Sequence, residues 1–278
     1  MLRTKPHSLY IDKIYPRIKE YRGATRLATF LRRVSEIGVE KVQQNETTSV
    51  FSEDWQNLII IDACRHDLYE EVFGKTPYRY TLGSSSAEYV SRSFSEGDFS
   101  DIVYITANPH FHESHFKDLT GGREPEEVFH SVFHTYQTDW DEEQGTVMPE
   151  PVVRDVKTAE KLFPNKRKII HFMQPHHPFV KYDIEEEQGF DQYVDDFSRD
   201  GVWGLVREGK IPEEEAWEGY KNNLKFVMGY VQDLSESLEG KTMLTADHGN
   251  FVGENGLYGH PTKSKAKVLR KVPFKVLE

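Results

Sequence analysis

The sequence contains one cysteine, Cys64, and no long hydrophobic run. A single cysteine excludes an internal disulfide and any metal site built from several cysteines. The apolar run from Leu58 to Ile61 is far shorter than the roughly 20 residues of a membrane-spanning helix. The first residues also lack the apolar centre of a signal peptide. From these absences we expect a cytoplasmic protein.

The charge of the chain is unevenly distributed. The 278 residues carry a net charge of −11. Residues 1–50 hold ten Lys/Arg against five Asp/Glu, and residues 261–278 hold six against one, so each end is +5 and residues 51–260 are −21. An acidic central region of this kind argues against nucleic acid as a partner. Hydrophobic residues at 37% and aromatic residues at 13% indicate a globular chain.

The first 50 residues differ in pattern from the rest. Apolar residues recur at three- and four-residue steps over 10–43, with basic residues between them, which predicts a helical N-terminal extension. This helix either lies on the main domain or makes a peripheral membrane contact or a partner contact through its basic face. We therefore expect a basic helical extension at 1–50 and a catalytic domain at 51–278, with an acidic insertion at 181–211.

Strands and helices alternate along the catalytic domain. This order predicts an α/β fold with a mainly parallel β-sheet sandwiched between helices. Pro273 lacks a backbone donor, so the last strand is expected at a sheet edge. The strands are expected at 57–61, 77–81, 101–107, 167–173, 241–246 and 272–277, and the helices at 66–73, 85–94, 150–163 and 213–238.

Metal-ligating residue types follow three of these strands. Asp62 follows the first, His176 and His177 follow the strand at 167–173, and Asp247 and His248 follow the strand at 241–246. Ligands of open α/β sheets bind at the carboxyl ends of the strands. Two carboxylates and a histidine form a plausible divalent-metal site. Histidine favours zinc or manganese, and calcium and magnesium are the alternatives.

Three motifs in order resemble the alkaline phosphatase superfamily, in its sulfatase-like and phosphoglycerol-transferase-like branch. They are IIIDACRHD, PHHPF and TMLTADHGNFVGENGLYGH, and they span residues 57–260. The resemblance implies an alkaline phosphatase-like sheet and a metal-dependent hydrolase or transferase acting on a phosphate or sulfate ester. The substrate class is then a small-molecule, glycan or lipid ester, and nucleic acid is not expected.

The resemblance also implies roles for individual residues. Asp62, Asp247 and His248 match the metal ligands, and a hydroxyl nucleophile at the start of the next helix completes the set. Ser86 is the first choice for this nucleophile, with Ser84 and Ser85 as alternatives. A helix N-terminus suits a phosphate or sulfate group, and a metal on the serine oxygen favours the attacking alkoxide. The Asp-x-x-x-His spacing before Asp247 falls at Asp62 and His66, and Asp62 is already assigned to the first ion, so we expect one divalent ion.

Several further residues are candidates for the substrate site. His176 matches a histidine that points toward the substrate or leaving group, and His177 could share that role. His260 matches a histidine that binds a second metal or the substrate. Either His176 or His260 is expected to stabilise or protonate the leaving oxygen. Asn108 and His110 follow the strand at 101–107 and could line the same cleft. His110 also begins a histidine series that resembles the H-x-H-x-D-H motif of metallo-β-lactamases, with serine in place of the aspartate. Arg65 is expected near the first ligand, as a support or as a substrate contact.

The motifs depart from the sulfatase pattern at two points. Ala63 stands where sulfatases carry a second aspartate, and neither Cys64 nor Ser86 lies in a C/S-x-P-x-R motif. The ligand set is most similar to that of the phosphoglycerol and phosphoethanolamine transferases. The alternative to an enzyme is an inactive sulfatase-like fold that serves as a binding or regulatory protein. The residues do not indicate the oligomeric state.

Overall fold

The computed structural model of the chain describes residues 39–43, 46–180 and 201–277. A seven-stranded sheet forms its centre, in the order β2-β11-β8-β1-β7-β3-β4, with two small two-stranded sheets beside it. Most of the predicted extension at 1–50 and residues 181–200 of the predicted insertion lie outside the described residues. Within the described part, no helix is both long enough and apolar enough to span a membrane.

The strands alternate with helices as the sequence pattern predicts. The strands are β1 (Asn57–Asp62), β2 (Tyr78–Tyr80), β3 (Phe99–Thr106), β4 (Phe129–His134), β5 (Trp140–Asp141), β6 (Thr146–Val147), β7 (Arg167–Pro175), β8 (Thr242–Thr245), β9 (Phe251–Val252), β10 (Tyr258–Gly259) and β11 (Lys271–Leu277). The helices are α1 (His66–Phe73), α2 (Ser86–Phe94), α3 (Glu113–Thr120), α4 (Pro125–Val128), α5 (Thr135–Thr138), α6 (Pro149–Leu162), α7 (Gly201–Arg207), α8 (Glu213–Ser237) and α9 (Lys267–Arg270). The mainly parallel α/β architecture is thereby confirmed.

Strand β1 lies at the centre of the sheet and is buried along its whole length. It pairs in parallel with β7 on one side and with β8 on the other. Strand β3 lies beside β7, again in parallel. Because neighbouring parallel strands end at the same edge of a sheet, the residues that follow β1, β3, β7 and β8 meet there. This topology decides where the site is built.

The last strand is not at an edge of the sheet, and that prediction is wrong. Strand β11 lies between β2 and β8 and is antiparallel to both. Pro273 is opposite Tyr78 at the start of β2, whereas the pairing with β8 begins one residue later, at Phe274. The proline is tolerated inside the sheet because it falls beyond the end of the β8 ladder.

Described residues before position 51 contact the sheet domain. The amide of Val42 donates to the carbonyl of Lys265 at 2.8 Å, and the side chain of Val50 is buried in the main core. The domain boundary at residue 50 stays a prediction. In the predicted insertion, the described part forms α7, whose Val202 and Trp203 are buried.

Candidate active site

Two aspartates face each other at the carboxyl edge of the sheet. Asp62 ends β1 and Asp247 follows β8, and both are buried. One oxygen of Asp247, Oδ1, accepts the backbone amides of Ala63 and His248 at 3.0 and 2.9 Å. These two hydrogen bonds fix the carboxylate, so its second oxygen, Oδ2, is turned toward Asp62 and the surrounding histidines.

The hydroxyl of Ser86 lies beside both predicted ligands. Its Oγ is 3.3 Å from Oδ2 of Asp62 and 3.1 Å from Nε2 of His248. Ser86 is the first residue of α2, and Ser85 caps the helix by accepting the amide of Glu88 at 3.3 Å. The serine oxygen thus sits at a helix N-terminus, where backbone amides favour an anionic group.

The other two serines of the Ser84–Ser86 series are engaged elsewhere. Ser84 Oγ contacts Glu88 Oε2 and the carbonyl of Pro261, both at 2.7 Å. Ser85 is the helix cap, and a serine three residues before a glutamate is a common pattern at the start of a helix. The side chain of Glu88 does not complete a capping box, because it turns to Ser84 and Arg270. Of the three alternatives, Ser86 is therefore the one that faces the aspartates.

The hydrogen bonds of His248 set its tautomer. Its Nδ1 is 2.7 Å from the carbonyl of Gly249, which can only accept, so Nδ1 carries the proton. The bare Nε2 then faces Ser86 Oγ and lies 3.4 and 3.5 Å from Asp62 and Asp247. Burial lowers the pKa of His248 to about 3, so the ring is neutral and its lone pair is available.

His171 was not singled out from the sequence. It lies inside β7, fully buried, with Nε2 3.7 Å from Asp62 Oδ2 and 3.9 Å from Asp247 Oδ2. Its Nδ1 contacts the hydroxyl of Tyr104 at 3.1 Å. In the sequence, nothing distinguishes a functional histidine within a buried, apolar strand from one that only packs in the core. The signal that could have found it is the pairing of β7 with β1, which sets His171 beside the carboxylates.

The donor atoms of this site fit a divalent cation. Ligand atoms of Asp62, His171 and Asp247 all lie within 4.8 Å of one another. Asp62 Oδ1, His171 Nε2 and Asp247 Oδ2 are buried and have no hydrogen-bond partner. Burial, and then the charge of Asp247, raises the pKa of Asp62 well above its ordinary value. A bound cation would relieve both the unpartnered atoms and the repulsion between the carboxylates.

A second group of histidines lies next to this centre. The ring of His260 is 4.5 Å from that of His248, and its Nε2 is 3.0 Å from Nε2 of His176. Nδ1 of His176 donates to the carbonyl of His177 at 2.6 Å, so Nε2 of His176 carries no proton. In the contact between the two Nε2 atoms, His260 is therefore the donor. Burial lowers the pKa of His176 to about 4 and that of His260 to about 3. The ring of His177 stacks on His176.

Asn108 connects β3 to the site. Its Nδ2 donates to Asp62 Oδ2 at 2.7 Å, and its Oδ1 accepts the amide of His110 at 2.9 Å. Nδ1 of His110 is 2.6 Å from Nε2 of His115. Burial first, and then the neighbouring histidines, lower the pKa of His110 well below its ordinary value. Both residues expected after this strand are thus brought to the same cleft, and Asn108 orients a carboxylate.

The guanidinium of Arg65 is engaged by protein groups, and its expected role as a substrate contact stays a prediction. Its guanidinium donates to Asp67 at 2.8 and 2.6 Å, to Glu254 at 2.6 Å and to the carbonyl of Asn250 at 3.0 Å. The side chain is buried, and these partners take up four of its five donors. Arg65 therefore ties the loop after β1 to the loop after β8, which is the support role.

Comparison with solved structures identifies the fold class as alkaline phosphatase-like, as the motifs predict. The soluble domain of lipooligosaccharide phosphoethanolamine transferase A from Neisseria meningitidis matches with a TM-score of 0.53 at 14% identity, over 85% of this chain and 81% of that one. The integral membrane form of the same transferase matches with a TM-score of 0.53 at 12% identity. That match covers 98% of this chain but only 59% of the membrane protein.

A further match is weaker, and two other comparisons return nothing. The C-terminal periplasmic domain of a phosphoethanolamine transferase from Campylobacter jejuni has a TM-score of 0.46 at 12% identity, over 83% of this chain and 82% of that one. No protein-family model and no curated protein matches the sequence.

The expected cytoplasmic location is wrong, because the similar structures include an integral membrane protein and its soluble domain.

Proposed function

We propose that this protein is a metal-dependent phosphoryl-transfer enzyme that acts on a phosphate ester through Ser86. The observation that carries the proposal is the position of Ser86 Oγ, 3.3 Å from Asp62 and 3.1 Å from His248 at the start of α2. The matched transferase of Neisseria meningitidis is named for adding phosphoethanolamine to lipooligosaccharide. A phosphate ester with a lipid or glycan alcohol is accordingly the substrate class proposed here.

One divalent cation would be held by Asp62, Asp247, His248 and Ser86. His171 offers a further donor, since its Nε2 lies 3.7 Å from Asp62 Oδ2 and 3.9 Å from Asp247 Oδ2. Such a cation supplies Lewis-acid stabilisation of the charge that develops on the phosphoryl oxygens. The histidine donors favour zinc or manganese, with calcium or magnesium as alternatives. Nε2 of His248 is free of a proton, as a cation would require, because Nδ1 carries the proton toward the carbonyl of Gly249.

The nucleophile and the groups that transfer protons are residues of the chain. Ser86 Oγ is the nucleophile, and its proton lies between two acceptors, Asp62 Oδ2 and His248 Nε2. As the bond from Ser86 to phosphorus forms, the bond from phosphorus to the leaving oxygen breaks. His260 holds the proton of its contact with His176 and can deliver it to that oxygen. Water or an acceptor alcohol then attacks phosphorus and releases Ser86.

The test is a covalent trap combined with metal analysis. Metal-loaded protein is incubated with aryl phosphate, aryl phosphodiester and aryl sulfate, quenched in acid and analysed by peptide mass spectrometry. We expect a phosphoryl group on Ser86 and turnover of a phosphate ester that is lost in Ser86→Ala. Ser91→Ala, a half-buried serine on the same helix, is the matched control and should keep full activity. Turnover of the sulfate ester alone would contradict the proposed phosphate ester and indicate a sulfate ester as the substrate class.

The same experiment separates the enzyme from an inactive fold. Asp247→Asn should lose both the bound metal and the turnover. A parent protein that binds zinc or manganese yet turns over none of the three esters and shows no modified Ser86 would contradict the proposal. That result would favour a binding or regulatory protein built on the same fold.

A further inference from the structure

A small internal cavity lies beneath the loops that carry the candidate site. Its volume of about 10 Å³ admits one small ligand. Arg79 of β2, Tyr89 of α2 and Thr245 of β8 line it, together with Thr81. These elements lead directly to Ser86 and to Asp247. We call it the Arg79 cavity and define it by Arg79, Tyr89 and Thr245.

Three hydrogen-bond donors of this cavity have no partner. They are Nη1 of Arg79, the hydroxyl of Tyr89, which also interacts with the side chain of Ser93, and Oγ1 of Thr245. The exposed fractions of the three residues are 7%, 2% and 2%. Nη2 of the same guanidinium donates to the carbonyl and hydroxyl of Thr48 at 3.0 and 2.8 Å, and the group lies 4.5 Å from the centre of the Phe274 ring. Buried donors of this kind are normally satisfied, and leaving several unsatisfied in one place is costly.

The charge of Arg79 decides what kind of ligand fits. A guanidinium stays protonated in proteins, and a buried charge without a counter-charge is strongly disfavoured. No carboxylate lines the cavity, and among the described residues Arg79 forms no ion pair. Glu53 is the acid that acts on it electrostatically, and Glu53 is exposed to solvent. A water molecule would satisfy the hydrogen bonds but would leave the charge uncompensated.

We infer that the Arg79 cavity binds a small monovalent inorganic anion of the chloride class, held by Arg79 Nη1, Tyr89 OH and Thr245 Oγ1. Such an ion accepts from all three donors and neutralises the guanidinium. It would join β2, β8 and α2 at the base of the loops that position Ser86 and Asp247. The inference does not depend on the reaction proposed above, because none of the three residues contacts the reacting groups.

The direct test is a crystal of the unmodified protein grown with sodium bromide in place of chloride. Bromide scatters anomalously, so an anomalous peak within hydrogen-bond distance of Arg79 Nη1 would support the site. A map that shows only a water there, or no peak, would overturn the inference. This measurement needs no variant and does not depend on whether the protein is active.

Melting curves at constant ionic strength provide a second test, with sodium chloride exchanged against sodium gluconate. We expect a saturable rise of Tm with chloride, because a ligand that binds only the native state stabilises it. Thr245→Val keeps the shape of the side chain but removes one donor, and should need roughly tenfold more chloride for the same rise. Arg79→Met should remove the chloride dependence.

Thr242→Val is the matched control, because Thr242 is buried in the same strand but lies outside the cavity. It should lower Tm without changing the response to chloride. An identical chloride response in the unmodified protein and in Arg79→Met would contradict the inference. Should Arg79→Met fail to fold, the bromide map decides.

Discussion

The hydroxyl of Tyr104 lies 3.1 Å from Nδ1 of His171, in the interior of the sheet. Burial raises the pKa of Tyr104 well above its ordinary value, so the phenol keeps its proton. The contact fixes the ring of His171 so that Nε2 faces Asp62 and Asp247. A tyrosine on β3 thereby orients a histidine on β7 toward carboxylates that follow β1 and β8.

This relationship makes a prediction for metal affinity. We expect His171→Asn to weaken zinc or manganese binding by about 10- to 100-fold, as the loss of a ligand or of a ligand's support commonly does. Tyr104→Phe should cause a smaller loss in the same direction. Affinity is measured by competition with a chelating dye. His130→Asn, an exposed histidine of β4, is the control and should bind normally. Unchanged affinity in His171→Asn would place this ring outside the metal centre.

Asn108 should be required for stability as well as for the site. Asn108→Ala removes the 2.7 Å hydrogen bond to Asp62 and leaves a buried carboxylate oxygen with one donor fewer. We expect the free energy of unfolding to fall by about 1–3 kcal/mol, measured by urea denaturation without metal. Asn222→Ala on α8 removes only a hydrogen bond to the carbonyl of Glu218, and should change stability by less than about 0.5 kcal/mol. Equal losses in both variants would argue against a special role for Asn108.

Glu88 and Arg270 form a buried ion pair at 2.9 Å, with 6% and 4% of their side chains exposed. Removing one partner leaves the other charge buried, so Glu88→Gln should cost about 3–5 kcal/mol of unfolding free energy at pH 7. Burial alone would raise the pKa of Glu88, but Arg270 and hydrogen bonds from Ser84 and Lys263 outweigh it, and the net pKa lies below the ordinary value.

The sign of this pKa shift sets a pH dependence. A folded pKa below the unfolded pKa means that the stabilisation is present above the unfolded value, about 4.3 for glutamate, and is lost as the pH falls through the folded value. The difference between the parent and Glu88→Gln should therefore be full at pH 7 and shrink below about pH 4. Denaturation at both pH values checks this. A difference that grows in acid would contradict the assignment, and Glu236→Gln on the surface should show none.

Gly83 precedes the three serines and has no room for a side chain. A Cβ atom there would lie 2.5 Å from the backbone nitrogen of Tyr89, inside α2. We expect Gly83→Ala to displace the start of α2, to lower the unfolding free energy by about 1–3 kcal/mol and to reduce metal affinity through Ser86. Gly229 of α8 has open space around its Cα, so Gly229→Ala should instead stabilise the protein by about 0.5–1 kcal/mol. Thermal denaturation compares the two, and stabilisation by both changes would contradict the predicted clash.

The sequence alone determined the elements that follow local patterns. The buried run of β1, the cap at Ser85 and the amphipathic face of α8 each depend on neighbours within a few residues, so their periodicity is visible in the chain. The same holds for Asp62, Asp247 and His248, because each follows a strand directly and parallel strands end at one edge. The mainly parallel α/β fold was predictable for this reason, and the resemblance of three motifs to the alkaline phosphatase superfamily implied the particular fold.

Tertiary structure decided what depends on distant contacts. The orientation of Ser86 rather than Ser84 toward Asp62 depends on Pro261 and Glu88, which engage Ser84. Arg65 connects two loops because its guanidinium donates a hydrogen bond to Glu254, which is distant in the sequence. His171 lies beside Asp62 and Asp247 only through the register of β7 against β1, which no local pattern records. Free energies of side-chain packing across the sheet, rather than local propensity, fix these positions.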